Sequence, residues 1–511
     1  METYGTAQAA DPFARTRRCF EDLIVELSGE MAGQMTHEKL EELVQARGRE
    51  IERQLLQDHL DLRALREEQA LAAAGHAVSV RGRRRAERGH ERRLATVVGT
   101  VTVRRLAFRA PGQSNVYPAD AALSLPKERH SLGLRRLAVT EAVRGSYDAA
   151  KTAIERQCGP VAGKRQLEHL VRAAAVDVAA FYSARIPMPS TREVLLVISA
   201  DAKGIAMRPG SLRPHTAKAA AGKKRGRGVF RTRLASGEKQ CRKRMAAVAC
   251  VYDAVPAPRR PHDVIEVPGG RSGNRPVRRG PHATGKWLTA SVESDAGQVI
   301  KAAFDQAEAR DPAHARTWVV LVDGDRHQIE LIETETEARR RSVAVDLVVD
   351  LVHVLEYVWS AAWCFFAKDD PAAEDWVVEH ALAILRGRSA QVASSIAEQA
   401  DEHRLSAGRR GGVKECVRYL ENKEPYLRYD QALEQGWPIA TGVVEGACRH
   451  LIADRFDITG SRWSVEGAEA VLQLRAMIDN GDFEEYWRFH AARERERLYP
   501  GAEQGDYVLG A

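Results

Sequence analysis

The stretch VLLVISADAKG, from Val194 to Gly204, constrains the fold more than any other part of the chain. A nearly continuous apolar run of this kind belongs to a strand covered on both faces, in the middle of a sheet flanked by helices. The run stops on a carboxylate, Asp201. A second run, TWVVLVDGD, stops on Asp323, with Asp325 two residues further on. MAAVACVYDAV from Met245 reads as another strand, KWLTASVES from Lys286 as a weaker one, and VAVDLVV as a fifth. AGQVIKAAFDQAEAR and RHQIELIETETEARRR read as helices. The order strand, strand, strand, helix, strand, helix, strand predicts a mixed α/β sheet covered by helices.

In open α/β sheets the ligand crevice lies beyond the carboxyl ends of the strands. Two strand-end carboxylates brought together there repel each other, and a hard divalent cation, magnesium or manganese, relieves the conflict. Asp201 and Asp323 are therefore candidate metal ligands. The candidate third acid is Glu445 in TGVVEGACRHLIADRF, which reads as a helix from about Val443 with Val444, Cys448, Leu451 and Ile452 on its apolar side. Glu434 and Glu466 are alternatives if the helix register differs. Taken singly, an Asp after a strand is more often a turn former or helix cap.

Charge points to the partner. The chain of 511 residues carries 77 Lys and Arg against 70 Asp and Glu, a formal charge of +7. Residues 213–244 hold twelve Lys or Arg and one acid, Glu238, and include Lys223, Lys224 and Arg225. Such a block is either a solvated linker or a phosphate-binding surface. Residues 256–285 form a second linker rich in Pro, Gly and Arg. The seven cysteines contain no C-x-x-C pair, so neither structural zinc nor a disulfide framework is expected, as in an intracellular protein. No signal-peptide pattern opens the chain, and Asp346, Asp350, His353 and Glu356 interrupt its longest apolar stretch, which excludes a membrane span there.

Upstream, Leu40, Val44, Ile51, Leu55 and Leu62 recur at helical spacing and predict a packing or self-association helix. LATVVGTVTVRRLAFRAPG reads as a hairpin, with Val97, Val98, Val101 and Val103 around Gly99. SYDAAKTAIERQCGPVAGKRQLEHLVRAAAVDV holds two helical runs broken at Cys158, Gly159 and Pro160. That outline fits a helix-turn-helix whose Lys164 and Arg165 meet DNA, and equally any αα-hairpin.

The segments ISADAKG, VVLVDGD, DLVHVLEYVW and GVVEGACRHLIADRF…TGSRWSVEGAEAVLQLRA closely resemble bacterial insertion-sequence DDE transposases of the ISKra type, relatives of the Mutator-like superfamily. The resemblance covers about residues 90–490 and is most specific over Gly442–Tyr486. It implies an RNase H-like mixed sheet with a helical insertion, behind a mainly helical N-terminal DNA-binding region. It places the catalytic, metal-binding triad on Asp201, Asp323 and Glu445. It matches a D-x-x-H element to Asp350 and His353, and an Arg-Trp pair to Arg462 and Trp463. His353 either orients a catalytic group or packs in a helix. Lys203 either meets a phosphate or is solvated. Trp463 either meets DNA or is core. Trp359, Trp363 and Trp376 are expected core anchors of the insertion.

The implied organisation is an amphipathic helical region over 1–78, a DNA-binding region over 79–190, and the catalytic core over 191–353 with its two basic linkers. The all-helical insertion follows over 354–440, the last part of the core over 441–490, and a tail over 491–511. The implied activity is magnesium- or manganese-dependent hydrolysis at transposon ends, then joining of the 3′-hydroxyls to target DNA by two-metal in-line displacement. The expected partners are terminal inverted repeats, target DNA and a second copy of the chain, with no membrane, in the bacterial cytoplasm at the nucleoid. An inactive, domesticated DNA-binding regulator or a structure-specific nuclease with the same core are the other outcomes.

Overall fold

The structure is a computed structural model that describes residues 11–74, 80, 83, 85–187, 190–214, 217–218, 243–266, 276–339, 343–458 and 460–500. Lys223, Lys224, Arg225 and most of the 213–244 block lie outside the described residues. The chain divides into two compact units, residues 1–181 with 483–511, and residues 182–482.

The first unit is built on a long helix, His37–Ala74, and a two-stranded antiparallel sheet, β1 (Arg85–Thr96) and β2 (Gly99–Arg109). The predicted hairpin is present, turning at Val97–Val98, but its first strand begins at Arg85, nine residues before Leu94. Leu60 of the helix packs with Leu94, Val101, Val103 and Leu125. The helix does not bury the face its apolar spacing predicts. Val44 and Leu55 are exposed, whereas Gln54 and Asp58 are buried. Asp58 accepts from the Thr16 backbone N–H, the Thr16 hydroxyl and Gln54, and pairs with Arg15, so a polar stripe is satisfied inside.

Helices Tyr147–Cys158 and Lys164–Ala174 flank a turn in which Gly159 has φ +77°. The second helix buries Leu167, Leu170, Val171 and Ala174 and leaves Lys164 and Arg165 exposed, with Lys164 paired to Asp148. The last helix, Phe483–Leu498, belongs to this unit rather than to a core ending at residue 490. Its Tyr486 and Phe489 pack edge-on against Phe181.

The second unit is α/β, with a five-stranded mixed sheet in the order β5-β4-β3-β6-β7. The strands are β3 (Leu195–Ala206), β4 (Lys243–Ala254), β5 (Ala283–Ser291), β6 (Trp318–Val322) and β7 (Val345–Val349). β4 runs antiparallel to β3 and β5, while β3, β6 and β7 are mutually parallel. All five predicted strands are present. Leu195–Ala200 of β3 and all of β6 are buried, as their unbroken apolar runs require.

Helix Ala296–Arg310, capped by Asp295, lays Val299, Ile300, Ala303, Phe304 and Ala307 on β3 and β4. Between β7 and the segment at Gly442 the only regular elements among the described residues are helices, joined by short loops. In that stretch Trp363 is 46 % exposed and stacks on half-buried Trp359, so it is not a core anchor. The buried face of helix Leu351–Phe365 is Val354, Val358, Ala361 and Ala362, and Trp363 falls on the opposite side.

Candidate metal centre

Sheet register assembles the site. Ser199 of β3 stands level with Leu321 of β6, and Val322 of β6 with Val349 of β7. Counting on from those pairs puts Asp201, Asp323 and Asp350 in one row across three neighbouring strands, which lie about 4.8 Å apart. The row stands at the carboxyl ends of β6 and β7. Asp201 does not close its strand, as its sequence predicts. β3 continues to Ala206, because β4 pairs with it over its whole length while β6 stops at Val322. Asp201 therefore sits where β3 outruns its parallel neighbour, which keeps it at the rim.

Asp350 is fully buried and caps helix Leu351–Phe365, its Oδ1 accepting from Val352 N–H at 2.8 Å. One turn on, His353 Nδ1 lies 3.3 Å from Asp350 Oδ2. From the far side, Thr441 closes the group. Its hydroxyl meets Asp350 Oδ2 and also Glu445 Oε1, the latter at 2.7 Å. Asp350, His353 and Glu445 place ligand atoms within 4.8 Å of one another, and no other such group of three occurs among the described residues.

Glu445 rides on helix Gly442–Ala447, which continues through a π-helical turn, Cys448–Ala453. Such turns shift side chains on one helix face relative to a regular α-helix and recur at functional sites. Cys448, one turn beyond Glu445, hydrogen-bonds Asp201, and burial together with that carboxylate holds its thiol neutral. The one helix thus touches the row at both ends, at Asp201 through Cys448 and at Asp350 through Glu445 and Thr441.

The electrostatics favour a cation. Burial and then the neighbouring Asp201 push the Asp323 carboxyl above its ordinary range, against the opposing bond from Asp325 N–H and the charge of His353. A threonine hydroxyl has one proton and cannot donate to Asp350 and Glu445 together. One carboxylate oxygen is therefore left facing a lone pair. The clustered donors, two carboxylates (Asp350 and Glu445) and one imidazole (His353), form a set that fits a hard divalent ion.

Asp323 is held from behind. Its carbonyl accepts from the Tyr419 hydroxyl at 3.3 Å, and Tyr419 stacks on Tyr357 with ring centroids 3.9 Å apart. The following residue, Gly324, has φ +93°, and a Cβ there would collide with the Tyr419 hydroxyl. Gly324→Ala is expected to destabilise the second unit by about 1–3 kcal/mol through strain at positive φ and loss of this contact. Urea unfolding followed by tryptophan fluorescence tests it, and an unchanged midpoint refutes it.

No protein-family model and no curated protein matches this chain. The structure brings Asp201 beside Asp323, but among the described residues Asp201, Asp323 and Glu445 form no common ligand cluster. Glu445 clusters instead with Asp350 and His353, because its helix is seated on Asp350 through Thr441. Sequence reasoning placed Asp350 in the D-x-x-H element and not among the ligands. The signal was available, since VDLVVD ends on an acid as VVLVD does. Thr441 and Cys448 carried no such signal. Glu434 and Glu466 are exposed and outside the cluster.

Lys203, two residues beyond Asp201, is half-buried on β3, and Arg462 is exposed with Nη1 on the Ser461 carbonyl. Trp463 is 6 % exposed, packed on Phe456 and Arg455, and its backbone pairs with Ala206 and Arg208. The core alternative holds for its side chain.

Proposed function

We propose that this protein is a DNA transposase of the insertion-sequence DDE class, with an RNase H-like core carrying Asp201, Asp323 and Glu445 as its catalytic acids. The observation that carries the reading is the row Asp201–Asp323–Asp350 at one rim of three parallel strands, met by Glu445 from a distant helix. The strand order supports it too. An antiparallel β3-β4-β5 meander followed by β6 and β7 added on the other side of β3 is the arrangement of RNase H-like sheets. The helical stretch between β7 and Gly442 corresponds to the insertion of related transposases.

A divalent pair held by these carboxylates would supply the charge that stabilises in-line displacement at phosphorus. The chain's own groups do the rest. With Nδ1 directed at Asp350, His353 has Nε2 left to take or return a proton at the scissile group. Thr441 fixes Glu445 against Asp350, and Tyr419 fixes the Asp323 backbone, so the acids are positioned before DNA arrives. Lys203 lies on the same strand edge to meet a phosphate oxygen.

In the first step water attacks a phosphodiester at the transposon end, the P–O3′ bond breaks, and the departing 3′-oxygen takes up a proton. In the second step that 3′-hydroxyl attacks a target phosphodiester, releases its proton and displaces the target 3′-oxygen. Arg165 and Arg462, both exposed, are proposed DNA contacts, and Lys164 joins them on releasing Asp148.

Two ends must meet, so the reading includes a homodimer or larger assembly. Exposed Phe20, Ile24, Val25, Met31 and Val44 on the first helices offer apolar surface for it. Among the described residues no helix is long and apolar enough to cross a membrane.

The test is cleavage and joining of the flanking terminal repeats by purified protein with magnesium. Glu445→Ala should abolish both while leaving DNA binding intact, and full cleavage by that variant sinks the assignment. Cleavage without joining makes the protein a structure-specific nuclease. Binding with neither makes it an inactive regulator.

A further inference from the structure

The DNA-binding role proposed for the first unit has no defined seat in the helix-turn-helix alone, where Lys164 is already paired. A cavity of about 520 Å³ lies elsewhere in that unit, between the hairpin, the segment Pro126–Arg129 and the end of the last helix. Five of its lining residues are cationic, and one, Asp120, is acidic. We propose that this cavity seats a phosphate of a nucleic-acid strand, with Arg105 at its floor and Arg93, Lys127 and Arg129 at its rim.

The floor is built. Arg92 and Arg105, 13 % and 12 % exposed, share the single carboxylate of Asp120, which is itself 10 % exposed. Two guanidiniums on one carboxylate leave net positive charge. Arg105 lies over the Tyr117 ring at 3.9 Å, and its Nε is a buried donor with no partner. Arg92 Nη2 also lies within hydrogen-bonding reach of the carbonyls of Pro126, Lys127 and Glu128, at 2.6, 3.1 and 2.5 Å, and its two protons are shared among them. Those bonds pin the segment that carries Lys127 and Arg129. Both side chains stand exposed, as does Arg93, and none of the three pairs with a carboxylate among the described residues.

Five cations against the one carboxylate of Asp120 fit a dianion or a chain of phosphates. The surroundings favour the chain. Past the cavity, exposed Arg88 on β1, and Arg85 on β1 with Arg109 on β2, which share the one carboxylate of Glu87, continue a net positive surface along the hairpin. A small phosphate ester would leave that extension unused, whereas a strand lying along the hairpin uses both.

The inference rests on the reading of the protein as DNA-acting, and the experiment separates the two. Binding of a fluorescent 20-base-pair duplex to the full chain is measured without metal, over a range of salt. The triple reversal Arg93→Glu, Lys127→Glu, Arg129→Glu should weaken binding by about 30-fold or more and flatten the salt slope by about two to three units. Reversal of three exposed lysines elsewhere, at Lys301, Lys368 and Lys414, provides the charge-matched control. Arg93→Lys with Arg129→Lys should bind nearly as the parent does.

Comparing duplexes with 5′-phosphate and 5′-hydroxyl ends tells a terminal phosphate from a backbone one. A larger loss with the phosphorylated end assigns the seat to termini, and equal losses assign it to the backbone. Binding by the triple variant no weaker than by the control, or no binding by the parent chain, overturns the proposal. Cleavage that persists with binding indifferent to the triple reversal fails the cavity alone. Binding that depends on the cavity, with no metal-dependent cleavage, fails the transposase reading alone.

Discussion

Asp323→Asn is expected to lower magnesium-dependent cleavage by about a hundredfold to a thousandfold, the usual effect of losing one preorganised charge-stabilising group. It is also expected to raise the thermal midpoint of the metal-free protein by about 2 °C or more. The two effects have opposite signs for one reason. Burial and the adjacent Asp201 both push the Asp323 carboxyl up. The folded state therefore holds this proton more tightly than the unfolded chain does. Stability from the group is present below the ordinary carboxylate pKa and is lost as pH rises through the raised folded value. At neutral pH the ionised carboxylate is a cost that asparagine removes.

The parent's midpoint should accordingly fall relative to that of the variant between pH 4 and pH 7. Added magnesium should raise the parent's midpoint more than the variant's, because the ion binds the folded carboxylates. Differential scanning fluorimetry with and without magnesium, beside the cleavage assay, reads all of this. A variant that cleaves at the parental rate removes Asp323 from the site. A variant less stable than the parent without metal removes the argument from repulsion.

Asp177→Ala carries a large expected stability loss, about 3 kcal/mol, because it removes a buried carboxylate and leaves Nδ1 of the buried His490 ring unpaired. Asp177 is 4 % exposed and accepts from three donors. His490 Nδ1 lies 2.7 Å from Oδ2, and Arg497 bonds both oxygens, at 2.7 and 2.9 Å. Burial raises the Asp177 carboxyl, but the bonds from Arg497 and His490 outweigh it and hold the group below its ordinary range. The stability it contributes is therefore present above the ordinary carboxylate pKa and lost on acidification.

Alanine leaves His490, 2 % exposed, without its Nδ1 acceptor, while the half-exposed Arg497 fork turns to water. The check is direct, since Trp487 is the one tryptophan of that unit and its ring centroid lies 5.5 Å from that of His490. Urea unfolding followed by fluorescence of a variant retaining only Trp487 should show a much lower midpoint. An unchanged midpoint makes the network ornamental to the fold.

Much of the second unit was legible because its strands are apolar on both faces. Such runs leave no other place for Val194–Ala200 or Trp318–Val322 than the middle of a sheet. Trp363 was misread because tryptophan is usually packed, while the face of a helix is set by its neighbours, here Val354, Val358 and Ala361. The buried stripe of the long N-terminal helix was misread for the converse reason. A carboxylate reads as solvated until a partner distant in sequence, Arg15 for Asp58, pairs with it.

The amino-acid sequence alone determined which segments are strands and helices in the second unit, their order, and that Asp201 and Asp323 follow apolar runs. Those properties depend on neighbours a few residues away, through side-chain period and burial. Tertiary structure decided that Asp201, Asp323 and Asp350 share one row, that β3 outruns β6, and that Glu445 meets Asp350 across the Thr441 hydroxyl. Strand register and the seat of a helix come from pairing between segments far apart in the chain, and one residue of slip would turn each carboxylate to the other face.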